Sequence, residues 1–349
     1  MQQINYVLIG FGGIAENRIA KEGFALDAER FTSLDGIKLV GATDINPARS
    51  EAVEALGLKW YDSLDAVLAD QTVQAIFIAT NNSSHAAIAK QAITAGKHCL
   101  IEKPLATTLE DAQAVKALAA EHNVAVSVDH MMIHNAYNIK ARELIVDGSL
   151  GEVNDMVLHM EFLYGATPDE AASWRCSKPA ELGGPIGDVA SHCFYVAEFL
   201  GDSKIVSMTC QYQAEKLDLK VENGAQIKFT LENGLTGTIL VSFAEPRGGI
   251  IGTLSNLGYE IYGSKAICRS HGTMFQFSGY DDEPIKIRLD IDNGKSVKTI
   301  SIVNPDNIYQ GVIQGHAEAI RAGQTGSVAD GCHNLELVME AHQLAVNSK

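Results

Sequence analysis

The first 130 residues contain short apolar runs that do not alternate. "INYVLIGFG" opens the chain, and "IKLVGATD", "AIFIAT", "HCLIEK" and "VAVSVDH" follow. Runs that are apolar on both faces predict strands buried on both sides of a parallel sheet. Between them the period becomes helical. "ARSEAVEALG" stops at Gly57, and "HAAIAKQAITAG" stops at Gly96. "LEDAQAVKALAAEHN" begins after Thr107 or Thr108 as cap, with Glu110 in its first turn. Repeated βα units of this kind predict a doubly wound sheet.

The pattern changes after about residue 150. "VNDMVLHMEFLYG", "IVSMTCQYQAE", "AQIKFTLENGLTGTILVSFAE", "GYEIYGSKAICRS" and "IKIRLDIDNGKSVKTISIV" read as strands, several with alternation. Glu232–Gly234 and Asp292–Gly294 carry Asn-Gly pairs, which supply the positive φ that a tight hairpin needs. Helical periods return at about 136–147, 187–200, 308–322 and 330–346. The expected class is α/β plus α+β. A Rossmann-type doubly wound parallel sheet spans 1–128, and 129–349 forms an α/β domain with a large, open, mostly antiparallel sheet.

Composition narrows the function. The formal net charge of −16 argues against a nucleic-acid surface, which needs clustered Lys and Arg. The six cysteines form no CxxC pair, so neither a metal site nor a disulfide framework is expected and a reducing compartment is favoured. The N-terminus lacks a basic n-region, and there is no run of about 18 apolar residues to span a membrane. A cytoplasmic protein is expected.

"GFGGIA" places Gly10, Gly12 and Ala15 in the G-x-G-x-x-A arrangement, after a predicted strand and opening a predicted helix. The first glycine permits a tight turn, the second lets a pyrophosphate approach the backbone, and the small third residue packs helix on sheet. Gly10, Phe11, Gly12, Gly13 and Ile14 are therefore candidate dinucleotide-binding residues. Asp44 ends the second strand, where a carboxylate accepts from ribose hydroxyls and repels a 2′-phosphate, so NAD is expected ahead of NADP. It lies 34 positions after Gly10 where about 20 is usual, which marks an insertion around residues 20–36. The alternative for Asp44 is a turn before Asn46-Pro47, and nearby Arg49 keeps NADP open. "IEKP" puts Glu102, Lys103 and Pro104 at a strand end, where ligands sit in such sheets.

"GFGGIA", "TNNSSHAAIAKQAITAGKHCLIEKP", Trp174-Arg175 and "GGPIGDVASHC", in that order, resemble the Gfo/Idh/MocA oxidoreductase family. The resemblance implies NAD(P)-dependent oxidation or reduction of a sugar, inositol or related polyol. It implies that Lys103 is the active-site lysine and that Asp188 and His192 bind substrate and exchange the proton. It places Thr80, Asn81, Asn82, His85 and Glu102 on the cofactor side. The family often has Thr-Pro where this chain has Thr80-Asn81, and often continues HxxD where this chain has His192-Cys193-Phe194-Tyr195. On a helix Asp188 and His192 share a face, and the carboxylate is expected to orient the imidazole or to hold an adjacent substrate hydroxyl. Further candidate substrate contacts are His130, Trp174, Arg175 and His316, with Asn307 and Tyr309 beside the last. The family also implies a homodimer or homotetramer built on the open sheet. Two other readings stay open: an enzyme that retains its cofactor through each turnover, and a non-catalytic nucleotide- and sugar-binding regulator.

Overall fold

The computed structural model describes residues 3–244, 256–272, 287–303 and 305–347. Two compact units are formed, one by Met1–Met131 with Asn307–Leu335 and the other by Met132–Asp306 with Glu336–Lys349. The division falls at Met131 rather than 128, and the stretch after Asn307 returns to the first unit instead of completing the second.

The first unit holds six parallel strands: β1 (Ile4–Ile9), β2 (Ile37–Thr43), β3 (Lys59–Trp60), β4 (Ala75–Ile78), β5 (His98–Ile101) and β6 (Val126–Val128). Their order is β3-β2-β1-β4-β5-β6. The order reverses between β1 and β4, which is where a doubly wound sheet opens its ligand crevice. Tyr6, Val7 and Leu8 of β1 and all of β4 are fully buried, as their unbroken apolar runs require. The cap of the helix Leu109–His122 is Thr108, whose hydroxyl accepts the Asp111 amide. The edge strand β3 and the short helix Leu64–Ala69 have no counterpart among the predicted elements.

The insertion after the glycine motif begins as a wide-wound helix, Ala15–Gly23. The helix Ile308–Ala322 packs against it. Gly23 makes this approach possible, since a Cβ there would stand 2.9 Å from Ile313 Cδ1. Asn307 locks the joint, capping the helix through its side-chain oxygen and donating its amide to Glu22 Oε2 at 2.8 Å.

The second unit carries eight strands: β7 (Val153–Glu161), β8 (Ile205–Tyr212), β9 (Gly224–Leu231), β10 (Thr236–Ser242), β11 (Asn256–Gly263), β12 (Ile267–His271), β13 (Arg288–Asp292) and β14 (Val297–Ile300). The order is β14-β13-β12-β11-β7-β10-β9-β8. Only the β7/β10 pair is parallel among these described strands. Gly234 and Gly294 turn the two predicted hairpins with φ of +89° and +77°. The expected strand ends at Glu245 and at Ile285–Lys286 lie outside the described residues.

On β7, Met156, Leu158 and Met160 are buried while Val157 and His159 alternate onto the other face. That face is not simply apolar: His159 stands between Glu161 and Glu260 at 3.0 and 3.1 Å. Burial opposes its charge, but the two carboxylates prevail and carry its pKa up to about 9. All six cysteines are free and buried. Among the described residues no helix is long and apolar enough to cross a membrane.

Candidate active site

In the first unit, β1 runs into a turn that only glycine satisfies. Gly10 has φ of +89°, and a Cβ there would lie 2.7 Å from the Ala79 carbonyl oxygen. At Gly12 and Gly13 a Cβ would meet nothing within 4 Å, so the backbone is open. A helix N-terminus follows at once, with Ile14 exposed at its start. Open amides at a helix start suit a pyrophosphate. The motif therefore fits a dinucleotide on this chain's own geometry.

Asp44 closes the turn after β2. One carboxylate oxygen accepts the Phe11 amide at 2.6 Å, and the other accepts the Asn46 amide at 2.8 Å, closing the turn. Arg49 reaches the same loop: its Nε donates to the Phe11 carbonyl at 2.7 Å and its guanidinium pairs with Glu16. Phe11 itself is buried under that guanidinium. An acid suited to ribose hydroxyls and a cation suited to a 2′-phosphate thus stand side by side.

At the end of β4, Thr80 shares a hydrogen bond with Ser84 at 2.7 Å, and Asn81 donates to the Ser83 hydroxyl. Asn82 is buried in the same turn. His85 was expected to line the cofactor pocket. It is fully buried, with ring nitrogens 2.8 Å from the Pro104 carbonyl and 3.2 Å from the Thr80 carbonyl. It ties the β4 turn to the segment after Lys103. Glu102 and Lys103 leave the end of β5, where the Glu102 amide donates to Ile78 of β4.

The remaining first-unit candidates divide. His130 follows β6 at the sheet's C-terminal edge and is buried. His316 does not reach a pocket. It sits in the core, 2.9 Å from the Tyr6 hydroxyl and 3.3 Å from the Ala125 carbonyl, and burial pushes its pKa down to about 3. Asn307 is a helix cap, and Tyr309 is fully buried. Asp129, which no local motif marks, is completely buried between β6 and His130.

In the second unit the glycines before the functional helix have separate reasons. Gly184 has φ of +91°, and a Cβ there would come within 2.5 Å of the Glu222 carboxylate. That carboxylate accepts the Ile186 amide at 2.8 Å, holding the start of the helix. The helix is wide-wound over Ile186–Ala190 and continues as an α-helix over Ser191–Gly201. Asp188 and His192, only 7% and 4% exposed, lie one turn apart on it.

Their partners differ from expectation. Arg175 donates from Nε to Asp188 at 3.0 Å and lies over the Trp174 ring at 4.6 Å. The Asp188 charge raises the Arg175 pKa further above its already high value. His192 Nδ1 lies 2.7 Å from the Tyr195 hydroxyl, which also accepts the Met132 amide at 3.4 Å. Tyr195 occupies the place where the family often has Asp, and it takes over at Nδ1 the orienting task expected of Asp188.

Comparison with known proteins gives the family. Residues 4–130 match the oxidoreductase family with an NAD-binding Rossmann fold, and residues 138–269 match the GFO/IDH/MocA C-terminal domain. The chain belongs to the Gfo/Idh/MocA family of oxidoreductases. It is 25% identical over 325 residues to 1,5-anhydro-D-fructose reductase of Ensifer adhaerens, covering 90% of this chain and 91% of that one. In fold it resembles aldose-aldose oxidoreductase of Caulobacter crescentus, with a TM-score of 0.83, 19% identity, and 100% and 99% of the two chains covered. It also resembles an inositol dehydrogenase homolog of Azotobacter vinelandii complexed with NAD+, with a TM-score of 0.79, 21% identity, and 99% and 96% covered.

Proposed function

We propose that the chain is an NAD(P)-dependent dehydrogenase or reductase acting at a carbinol carbon of a sugar, inositol or related polyol. The observation that carries this reading is the Tyr195 hydroxyl 2.7 Å from His192 Nδ1, which holds the imidazole on the same helix as Asp188. The sugar reductase and inositol dehydrogenase-like relatives support the substrate class. Asp44 favours NAD over NADP. The resemblance supports a homodimer or homotetramer, and six cysteines that form no disulfide support a reducing compartment, the cytoplasm.

When bound, the nicotinamide supplies the hydride chemistry. The chain's own residues handle the oxygen and its proton. In the oxidative direction His192 Nε2 takes the hydroxyl proton. Lys103 Nζ donates a hydrogen bond to the same oxygen and stabilises its developing negative charge. Asp188, held by Arg175, accepts from a neighbouring substrate hydroxyl. Acid–base assistance of this type contributes about 10²–10⁴ in rate.

The test is a panel of polyols, aldoses and ketoses assayed with NAD and with NADP. Lys103→Met and His192→Ala are each expected to lower turnover at least about tenfold without loss of nucleotide binding. Wild-type turnover by both variants would reject the assignment.

A further inference from the structure

The C-terminal ends of β5 and β6 bring two carboxyl groups together beside Lys103. Register pairs Ile101 with Val128, and the Asp129 amide donates to the Ile101 carbonyl at 2.7 Å. Glu102 and Asp129 are therefore the next residues along two neighbouring parallel strands, and their side chains leave on the same side. Asp129 has no exposed surface, and neither of its carboxylate oxygens finds a well-formed N–H or O–H donor. What faces it is the Glu102 carboxyl. Glu102 in turn accepts the Lys103 amide at 3.2 Å.

Two ionised carboxylates side by side, one of them fully buried, repel each other, and neither has a proton to share. A carboxylic acid against a carboxylate makes a strong hydrogen bond instead. Burial, followed by the Glu102 charge, raises Asp129 well above the ordinary carboxylate range. The Lys103 ammonium and the Met131 amide act in the opposite direction and do not reverse it.

We propose that Glu102 and Asp129 share a single proton, leaving one negative charge between them, and that this pair is the positioning element for Lys103. The charge attracts the ammonium and fixes where it stands. The second carboxyl, kept neutral, holds the charged one in place through its O–H. Asp129 acts through Lys103 and is a positioning residue. This role rests on the active-site reading of Lys103; the shared proton does not.

The test has two arms on the full-length protein. The first is the infrared spectrum at neutral pH. A carbonyl stretch from a buried protonated carboxyl is expected, and it should vanish in Asp129→Asn. Absence of that band in the wild-type protein would overturn the shared proton. The second arm uses the best substrate from the polyol panel with Glu102→Gln, Asp129→Asn and the double variant. Each single variant keeps one negative charge beside Lys103, and the double variant keeps none. The double variant should lose at least about tenfold more kcat than either single one, with KM for the nucleotide moving much less. A double variant no worse than the poorer single one would overturn the positioning role.

Lys103→Met separates this inference from the reading beneath it. Wild-type turnover in that variant would overturn the active-site reading, and the positioning role with it. Loss of turnover there, alongside a double variant that behaves like a single, would overturn the role of the pair alone.

Discussion

His192 Nδ1 and the Tyr195 hydroxyl lie 2.7 Å apart, one helical turn from each other on a buried helix. That spacing holds the ring plane, and the tyrosine oxygen is itself held by the Met132 amide. Tyr195→Phe removes the oxygen and leaves Nδ1 without this partner. A net hydrogen bond is worth about 0.5–1.5 kcal/mol, so kcat should fall about three- to tenfold. Nucleotide affinity, followed by fluorescence titration, should be unaffected.

Arg175 supports Asp188 from the side and lies over Trp174. The Asp188 side chain is only 9% exposed, so its charge depends on that guanidinium. Arg175→Met should lower stability by about 1–3 kcal/mol, since a hydrogen bond to a charged group is lost. Adding Asp188→Asn should restore part of it, because the charge that the guanidinium balances is then gone. Thermal melts of the two single variants and the double variant give the coupling directly.

The glycine motif predicts two different failures. Gly10→Ala forces a side chain into the left-handed region and against Ala79, so it should destabilise the fold by more than about 1 kcal/mol. Gly12→Ala has open space around it, so its melting temperature should stay near wild type while NAD binding weakens. A common effect on both measurements would reject the proposed division of labour.

Glu222 gives a pH dependence with a definite sign. Burial raises its pKa from 4.5 to about 7, against the Ile186 amide that favours the charge. Below about pH 4.5 the folded and unfolded chains both hold the proton, and its contribution is level. Between that point and about pH 7 the unfolded chain releases it first, so stability falls as pH rises and then levels off. Glu222→Gln should flatten this step and be the more stable form at pH 8, as read by denaturant titration across the range.

The elements legible in the sequence are those that a local signal defines. Five strands of the first sheet are mostly apolar runs, Gly10 sits where its positive φ is needed, and the hairpins carry Asn-Gly. Lys59–Trp60 and Leu64–Ala69 are too short to establish a period. The misplaced side chains have a different cause. His316 is polar and sits on a helix beside other candidates, but its partner, Tyr6, is 310 positions away. No local pattern distinguishes a histidine bonded in the core from one facing a ligand. Asp129 after a strand resembles a turn former, and only the β5/β6 register reveals its neighbour. Tyr195 resembles a core aromatic, yet its departure from HxxD is a readable signal that another group has taken over at Nδ1.

The polypeptide passes between its two units three times, at Met131–Met132, Asp306–Asn307 and Leu335–Glu336. Neither unit is therefore an uninterrupted stretch of gene. A truncated chain ending at Met131 would leave Tyr6 without His316 and strip the insertion of the helix that packs on it. Exchanging the second unit for that of a relative needs several coordinated splices. Recombination at any one of these junctions would leave at least one unit built from two parents.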